Sequence, residues 1–413
     1  MDALEFLTLA LRYGFSQTVP YLPFAFFLVC LFIFWEFWVN YVQQLFISKT
    51  PMILLELRLP KEVFKSPRAM EIALTSLHQS SPGANFWALY YEGKLRAYTS
   101  LEIVSIGGKI HFYIYLRKGL RALFETQLYA QYPDIEIHEV PDYATEIPYG
   151  APGAEYEMWG CEYKLAGKTD ALPLKTYIDF GLDRDPKEEF KIDPISQVLE
   201  FMGSLTEGEN MWFQMLIMAH APQPPRRGAK NAKKFEVRAK ELVDDLSKRK
   251  LAAEKAKEGK TITPIESKLT KAEEEVLEAV ERKASKPAFD VGMRTIYVAR
   301  KDKFNGGHIP GITGLLRPFG ANNLNSFKPS NVATPFDYPW QDPLGVRARK
   351  IKRELFEWYV KRGWFYEPYV QDPFVLSSEE IATIYHIPGA TAKTPTLGRL
   401  ESKRGEAPVN LPI

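Results

Sequence analysis

From Leu22 to Val39 the chain reads LPFAFFLVCLFIFWEFWV, and Glu36 is the only charge. At about 1.5 Å per residue these positions span roughly 27 Å as a helix, close to the hydrocarbon thickness of a bilayer. The pattern predicts a transmembrane helix over 21–41, with Leu22, Phe26, Leu28, Phe32, Trp35 and Trp38 as its anchoring side chains. Trp35, Trp38 and Tyr41 fall at the end of the run, where amphipathic rings favour the headgroup layer. Beyond it the periodicity changes. MILLELRLP, at 52–60, reads as a buried strand. Within 65–80, Met70, Ala73, Leu74 and Leu77 recur at helical spacing behind a Ser66 cap and Pro67 at the first helical position. Tyr98–Ile106 alternates, Gly107-Gly108 turns, and Lys109–Leu116 alternates again, a hairpin signal. Leu120, Leu123, Phe124, Leu128 and Tyr129 share one face of a helix over 117–131, and Ile135–Val140 is a last strand. This βαββαβ order predicts a ferredoxin-like domain over 50–145.

The next stretch predicts an imperfect repeat of that plan. Leu174–Gly181 reads as a strand, Asp193-Pro194 opens a helix running to about Leu205, and Met293–Arg300 is a further strand. NMWFQMLIMA, at 210–219, is apolar enough for a strand buried on both faces. Together they outline a second α+β domain over 150–225 and 287–370. Residues 226–286 interrupt it with 18 Lys/Arg against 12 Asp/Glu, a pattern expected of two charged helices forming an antiparallel hairpin. A helix over 345–362 follows. The expected class is therefore α+β: a single transmembrane helix, ferredoxin-like units and a helical-hairpin insertion.

Charge orients the anchor. Lys49, Arg58, Lys61, Lys65 and Arg68 follow the run, whereas Asp2, Glu5 and Arg12 precede it. Positive flanks stay cytoplasmic, so 1–20 is expected outside and the body inside, at the cell (inner) membrane. A cleaved signal peptide would need a basic n-region and a small-residue cleavage site, and neither pattern stands here. The chain's 53 Lys/Arg and 51 Asp/Glu leave a net charge of only +2, and the two cysteines, Cys30 and Cys161, offer no disulfide framework. The arm's acidic residues blunt its field, and Phe235 is its only aromatic residue, so nucleic-acid contact is not expected.

Catalytic patterns fail on inspection. Gly167-Lys168-Thr169 would need glycine at 162 to make a phosphate-cradling loop, and Glu162 stands there. The six histidines show no i, i+4 pair and no cysteine at ligand spacing. No G-x-S-x-G occurs. The expectation is no catalytic, cofactor or metal site, and no enzyme.

Three stretches carry a resemblance: ISQVLEFMGSLTEGENMWFQMLIMAHA (195–221), GITGLLRPFGANNLNSFKP (311–329) and FVLSSEEIATIYHIPGATAKTPTLGRLESKRGEAPVNLP (374–412). They resemble the N-terminal, motor-less part of membrane-linked HerA–FtsK superfamily ATPases that accompany type IV secretion and conjugation systems. The likeness covers the last half of the chain by sequence and the first half by architecture. In those proteins the terminal kind of segment leads into a motor domain, whereas this chain ends at Ile413 and lacks a phosphate loop. The resemblance thus implies a non-enzymatic, membrane-anchored docking component that positions a separate P-loop ATPase. Membrane lipid and further copies of the chain are the other expected partners. Residues 371–413 are the expected docking segment: serine capping and acidic residues start a helix at 377–380, and Glu379, Ile381, Ile384, Tyr385 and Leu397 are the docking candidates. The alternative for that helix is packing on its own domain. The alternative function is a free-standing scaffold that binds partners through the 226–286 arm.

Overall fold

The computed structural model describes residues 21–60, 65–79, 85–150, 155–167, 169–183, 192–220, 235–246, 271–334, 336 and 338–389. In chain order the main elements are α1 (Leu22–Lys49), β1 (Met52–Arg58), α2 (Pro67–Thr75), α3 (Phe86–Tyr90), β2 (Tyr98–Ile106), β3 (Lys109–Arg117), α4 (Arg121–Gln131), β4 (Glu136–Glu139) and β5 (Tyr156–Leu165). There follow α5 (Pro194–Gly203), β6 (Glu209–Ala219), α6 (Phe235–Leu246), α7 (Lys271–Ser285), β7 (Ala288–Arg300), α8 (Ile309–Thr313), β8 (Phe327–Ser330), α9 (Val346–Val360), β9 (Phe374–Ser377) and α10 (Ser378–Ile384). They form two compact units, Met1–Pro51 with Pro82–Leu95, and Met52–Ser81 with Arg96–Ile413. The chain therefore passes between the units three times, at 51/52, 81/82 and 95/96.

In the first unit α1 continues for eight residues past the predicted end at 41, and Val42 is its one buried residue. Asn85 caps α3 by accepting from the Ala88 amide at 2.8 Å. The segment then runs beside α1. Phe86 and Tyr90 lie against Trp35, with ring centroids 6.2 and 5.3 Å apart. The Trp38 indole donates to the Tyr90 carbonyl at 2.9 Å. Gly93 has φ +64°, and a Cβ there would sit 2.3 Å from the Val42 carbonyl oxygen, so both conformation and space require glycine.

The second unit is built on an antiparallel sheet of nine strands ordered β4-β1-β3-β2-β6-β7-β5-β8, with β9 pairing the start of β7. The order β4-β1-β3-β2 recurs in the second half as β8-β5-β7-β6, and the halves meet where β2 pairs β6. The two stretches expected as separate domains are thus one compact unit. The reason is burial: β2 and β6 are buried along nearly their whole length, and neither could leave its backbone donors and acceptors unpaired. In the first half the hairpin closes on Gly107 and Gly108, at φ +57° and +84°, as a two-residue turn needs. In the second half the same connection carries α6 and α7, whose facing surfaces pack together.

One element is corrected. Leu174–Gly181 is not a strand. Two of its backbone donors are taken by side chains of α10, the Leu174 amide by Glu380 Oε1 and the Tyr177 amide by Thr383 Oγ1, and the Thr176 amide by Asp179. The strand of that region is β5 instead.

Residues directly opposed across paired strands share a sheet face, so register separates two surfaces. Leu101, Ile103, Phe112 and Ile114 lie on the face packed by α5 and α10, where the Ser105 hydroxyl meets the Met202 carbonyl and Tyr385 stacks edge-on against Phe112. The opposite face carries Trp212, which packs against Phe356 and Tyr359 of α9.

Candidate functional site

Of the expected anchoring residues, Leu22, Phe26, Leu28, Phe32 and Trp35 are exposed, Phe26 at 71 %, and Trp38 is half-buried against the α3 segment. An 18-residue window of α1 has mean hydropathy 2.1, and none of that window is buried. A soluble core helix of this composition would lie inside a fold; here the apolar rings from Phe24 to Phe34 are exposed. Residues 1–20 lie outside the described residues.

The docking residues predicted near the C-terminus fall elsewhere. Ser377 forms the expected capping box with Glu380. However, Glu379, Ile381, Ile384 and Tyr385 are each at most 2 % exposed, so they face the chain's own core. Ile381 and Ile384 fill the apolar core, and the Tyr385 hydroxyl donates to the Tyr113 carbonyl at 3.0 Å. The two carboxylates bind the root of the charged arm. Arg282 reaches Glu379 at 3.1 Å and Asp179 at 2.7 Å, and Lys283 reaches Glu380 at 3.0 Å. Lys286 reaches Glu71 of α2 at 2.8 Å. On α6, Arg238 grips Asp170 with two hydrogen bonds of 2.9 and 2.8 Å, while Phe235 and Ala239 pack on Ala171 and Val375. Burial holds the Glu379 carboxyl above its usual range, against the pull of Thr176, Arg282 and Lys286, and its Oε2 has no hydrogen-bond donor. A cleft of about 400 Å³ opens beside this root, lined by residues that include Lys175, Asp179, Arg282 and Asn323. Leu397 lies outside the described residues.

Sequence reasoning missed a polar row that crosses the sheet beneath α9. Register places His138, Glu56, Tyr113, Glu102, Gln214, Arg294, Glu162 and Ser330 directly opposite one another in turn, from β4 to β8. Its centre is closed to solvent and built around Glu102, although the Gln214 Oε1 has no hydrogen-bond donor. Glu102, fully buried, accepts from Ser100, Tyr143, Gln214 and both Nε and Nη2 of Arg362. Arg362 also donates to Asp142 at 2.5 and 3.0 Å. Burial alone would lower the Arg362 guanidinium, but Glu102 and Asp142 hold it well above its ordinary value. Burial raises the Tyr143 and Tyr359 hydroxyls beside it. Toward β8, burial lowers Arg294, whose Nε and Nη1 lack acceptors while its guanidinium lies 4.9 Å from the Trp364 ring centroid. Glu162 accepts from Asn331 at 2.6 Å and from the Tyr369 hydroxyl, at the wall of a second cleft of about 320 Å³. The available signal was a charge set among large apolar residues within a strand: Glu102, Glu162 and Arg294.

Among the described residues no group of three His, Cys, Asp or Glu side chains could hold a metal ion. Five histidines have carboxylate partners, for example His220 with Asp290 at 2.6 Å and His386 with Asp193 at 2.9 Å, and His78 meets the Ala288 carbonyl. Cys161 is fully buried, which pushes its thiol up to about 12.

Residues 49–399 match the family model described as a domain of unknown function, DUF8128. No curated protein matches the chain.

Proposed function

The chain belongs to the DUF8128 family, and from that premise we propose that it is a membrane-anchored platform whose work is positioning a partner rather than catalysis. The observation that carries this reading is α1: a 28-residue helix whose 18-residue apolar window is nowhere buried among the described residues. Basic residues follow α1, which supports a single pass with the body on the cytoplasmic side. Glu36 lies one turn from the Trp38–Tyr41 level and its carboxylate can reach the headgroups. The strand order of each half, with helices in the crossover connections, supports two ferredoxin-like units fused edge to edge.

The partner element in this reading is the charged arm. The burial of Glu379, Ile381, Ile384 and Tyr385 removes that part of the terminal segment from docking and gives two of its residues to the root of the arm. An arm held by ion pairs to α2, α10 and the 170–179 loop is a fixed mount, and a fixed mount suits a binding element because little order is lost on association. The three stretches that resemble motor-less secretion ATPase N-termini make the proposed partner a separately encoded P-loop ATPase of a type IV secretion-like transfer machine. The test uses the full-length protein in its native membrane. It should resist alkaline carbonate extraction, and cross-linked pull-down should recover a P-loop ATPase. Replacing 247–270 with a short Gly-Ser loop should abolish that recovery while the protein remains folded. Extraction by carbonate refutes the anchor, and recovery of no ATPase by the intact protein refutes the partner.

A further inference from the structure

We propose that Asn85–Gly93 is a second membrane contact, an interfacial foot that seats Phe86, Trp87 and Tyr91 in the headgroup and upper acyl layer beside α1. The inference rests on the transmembrane reading of α1 and adds a site that the apolar run does not contain.

The foot is a short excursion that leaves the sheet-bearing unit after Ser81 and rejoins it at Arg96. Between these points it belongs with α1. Three large rings remain open along it: Phe86 at 61 %, Trp87 at 59 % and Tyr91 at 45 % exposed. Trp87 and Tyr91 stack with centroids 4.2 Å apart, so they form one aromatic stack rather than two scattered side chains. Single exposed apolar residues need no explanation, but a contiguous aromatic patch does.

Its level along α1 identifies the occupant. Phe86 meets Trp35, Tyr91 meets Trp38, and Gly93 meets Val42. The foot therefore covers eight positions of the helix, 35–42, about 10 Å of rise, centred where the apolar run gives way to polar residues. That depth is where Trp and Tyr rings are favoured in membranes. Phe86 points to the apolar end of this interval. The charged pair Glu92–Lys94, 2.6 Å apart, stands at the polar end. The gradient from Phe through Trp and Tyr to charge matches the gradient of a leaflet. Phe34 and Phe37 of α1, in the same stretch of the helix as Trp35 and Trp38, are exposed as well, so open apolar rings stand on both the helix and the foot at this level. Lipid, rather than a protein partner, fits that shared level.

The test is depth-resolved quenching of Trp87. Full-length protein and Trp87→Phe are reconstituted into phosphatidylcholine/phosphatidylglycerol vesicles whose acyl chains are brominated near the headgroup, at mid-chain or near the terminal methyl. The difference between the two emission spectra isolates Trp87. Near-headgroup bromines should reduce it about two-fold or more, with less effect from the deeper positions, and aqueous acrylamide should quench it weakly. Strong acrylamide quenching without bromine quenching overturns the foot, because Trp87 then faces water. Protection from both quenchers also overturns it, because protein then covers the ring. Carbonate extraction of the same vesicles separates the two readings: a protein that stays in the pellet with Trp87 in water loses the foot and keeps the anchor, and a protein that is released loses both.

Discussion

Replacing Arg362 with methionine removes the cation from the centre of the polar row while keeping a side chain that can occupy part of its volume. Arg362 is 2 % exposed and its main counter-charge, Glu102, is fully buried. The side chain of Asp142 is 27 % exposed and can be rehydrated when its partner goes, whereas Glu102 cannot. The cost is therefore that of an uncompensated buried carboxylate, about 3–5 kcal/mol. At about 2 °C per kcal/mol for a domain of this size, the melting temperature of R362M should fall by about 6–10 °C. E102Q keeps one carbonyl oxygen, which can accept from Ser100 or from Tyr143, and leaves Arg362 paired with Asp142, so it should cost about 1–3 kcal/mol. The decisive measurement is the cycle. In R362M/E102Q no buried charge is stranded, and the double variant should be more stable than R362M alone, with a coupling of about 2 kcal/mol or more. Thermal and urea unfolding of the four detergent-solubilised proteins, followed by near-ultraviolet circular dichroism, reads all these quantities. Additive losses, or an R362M within about 1 kcal/mol of wild type, would refute the claim that Glu102 and Arg362 are a coupled buried pair.

Three further outcomes are expected. Because burial raises the Glu379 carboxyl, the folded state holds its proton more tightly than the unfolded state, so the stability this group confers is complete at low pH. It is lost as pH rises above the ordinary glutamate value of about 4.3 through the raised one, so wild type should melt progressively lower relative to E379Q across that range; a difference independent of pH removes the argument. Cys161 should resist a maleimide reagent in the native protein at pH 7.5 and react once unfolded, since its buried thiol is pushed up to about 12; mass spectrometry of the 161-containing peptide that shows rapid native labelling contradicts this. Gly93→Val places a β-branched residue at φ +64° against the Val42 carbonyl and should detach the α3 segment from α1, at a cost of about 1–3 kcal/mol. Faster limited proteolysis within 85–95 is the readout, and an unchanged cleavage rate argues against the contact.

Local chemistry was legible wherever it decided local structure. The Gly107-Gly108 turn, the Ser66-Pro67 helix start and the Ser377/Glu380 cap all stand where short-range rules place them. The uniformly apolar 210–219 stretch is a strand buried throughout. What failed depended on neighbours distant in the chain. Leu174–Gly181 has a strand-like composition, but α10, about 200 residues later, supplies side-chain acceptors for two of its amides. YEMWGCEYKL (156–165) mixes charge with apolar residues, and the pattern becomes intelligible only once Glu162 is set opposite Arg294. Likewise, the 377–385 segment announces a capped amphipathic helix, yet nothing local says whether its apolar face meets a partner or its own sheet. The polar row exists only as a register across eight strands, and no window of sequence contains it.

The three passages of chain between the units also bear on how this protein could be let go. A single proteolytic cut at Pro51–Met52 would separate α1 from the sheet in sequence, but residues 85–93 would still grip the helix through Trp35, Trp38 and Val42. The fragments would co-migrate until that grip was broken. Shedding the body from α1 thus takes a cut and an unfastening, and the two can be controlled separately.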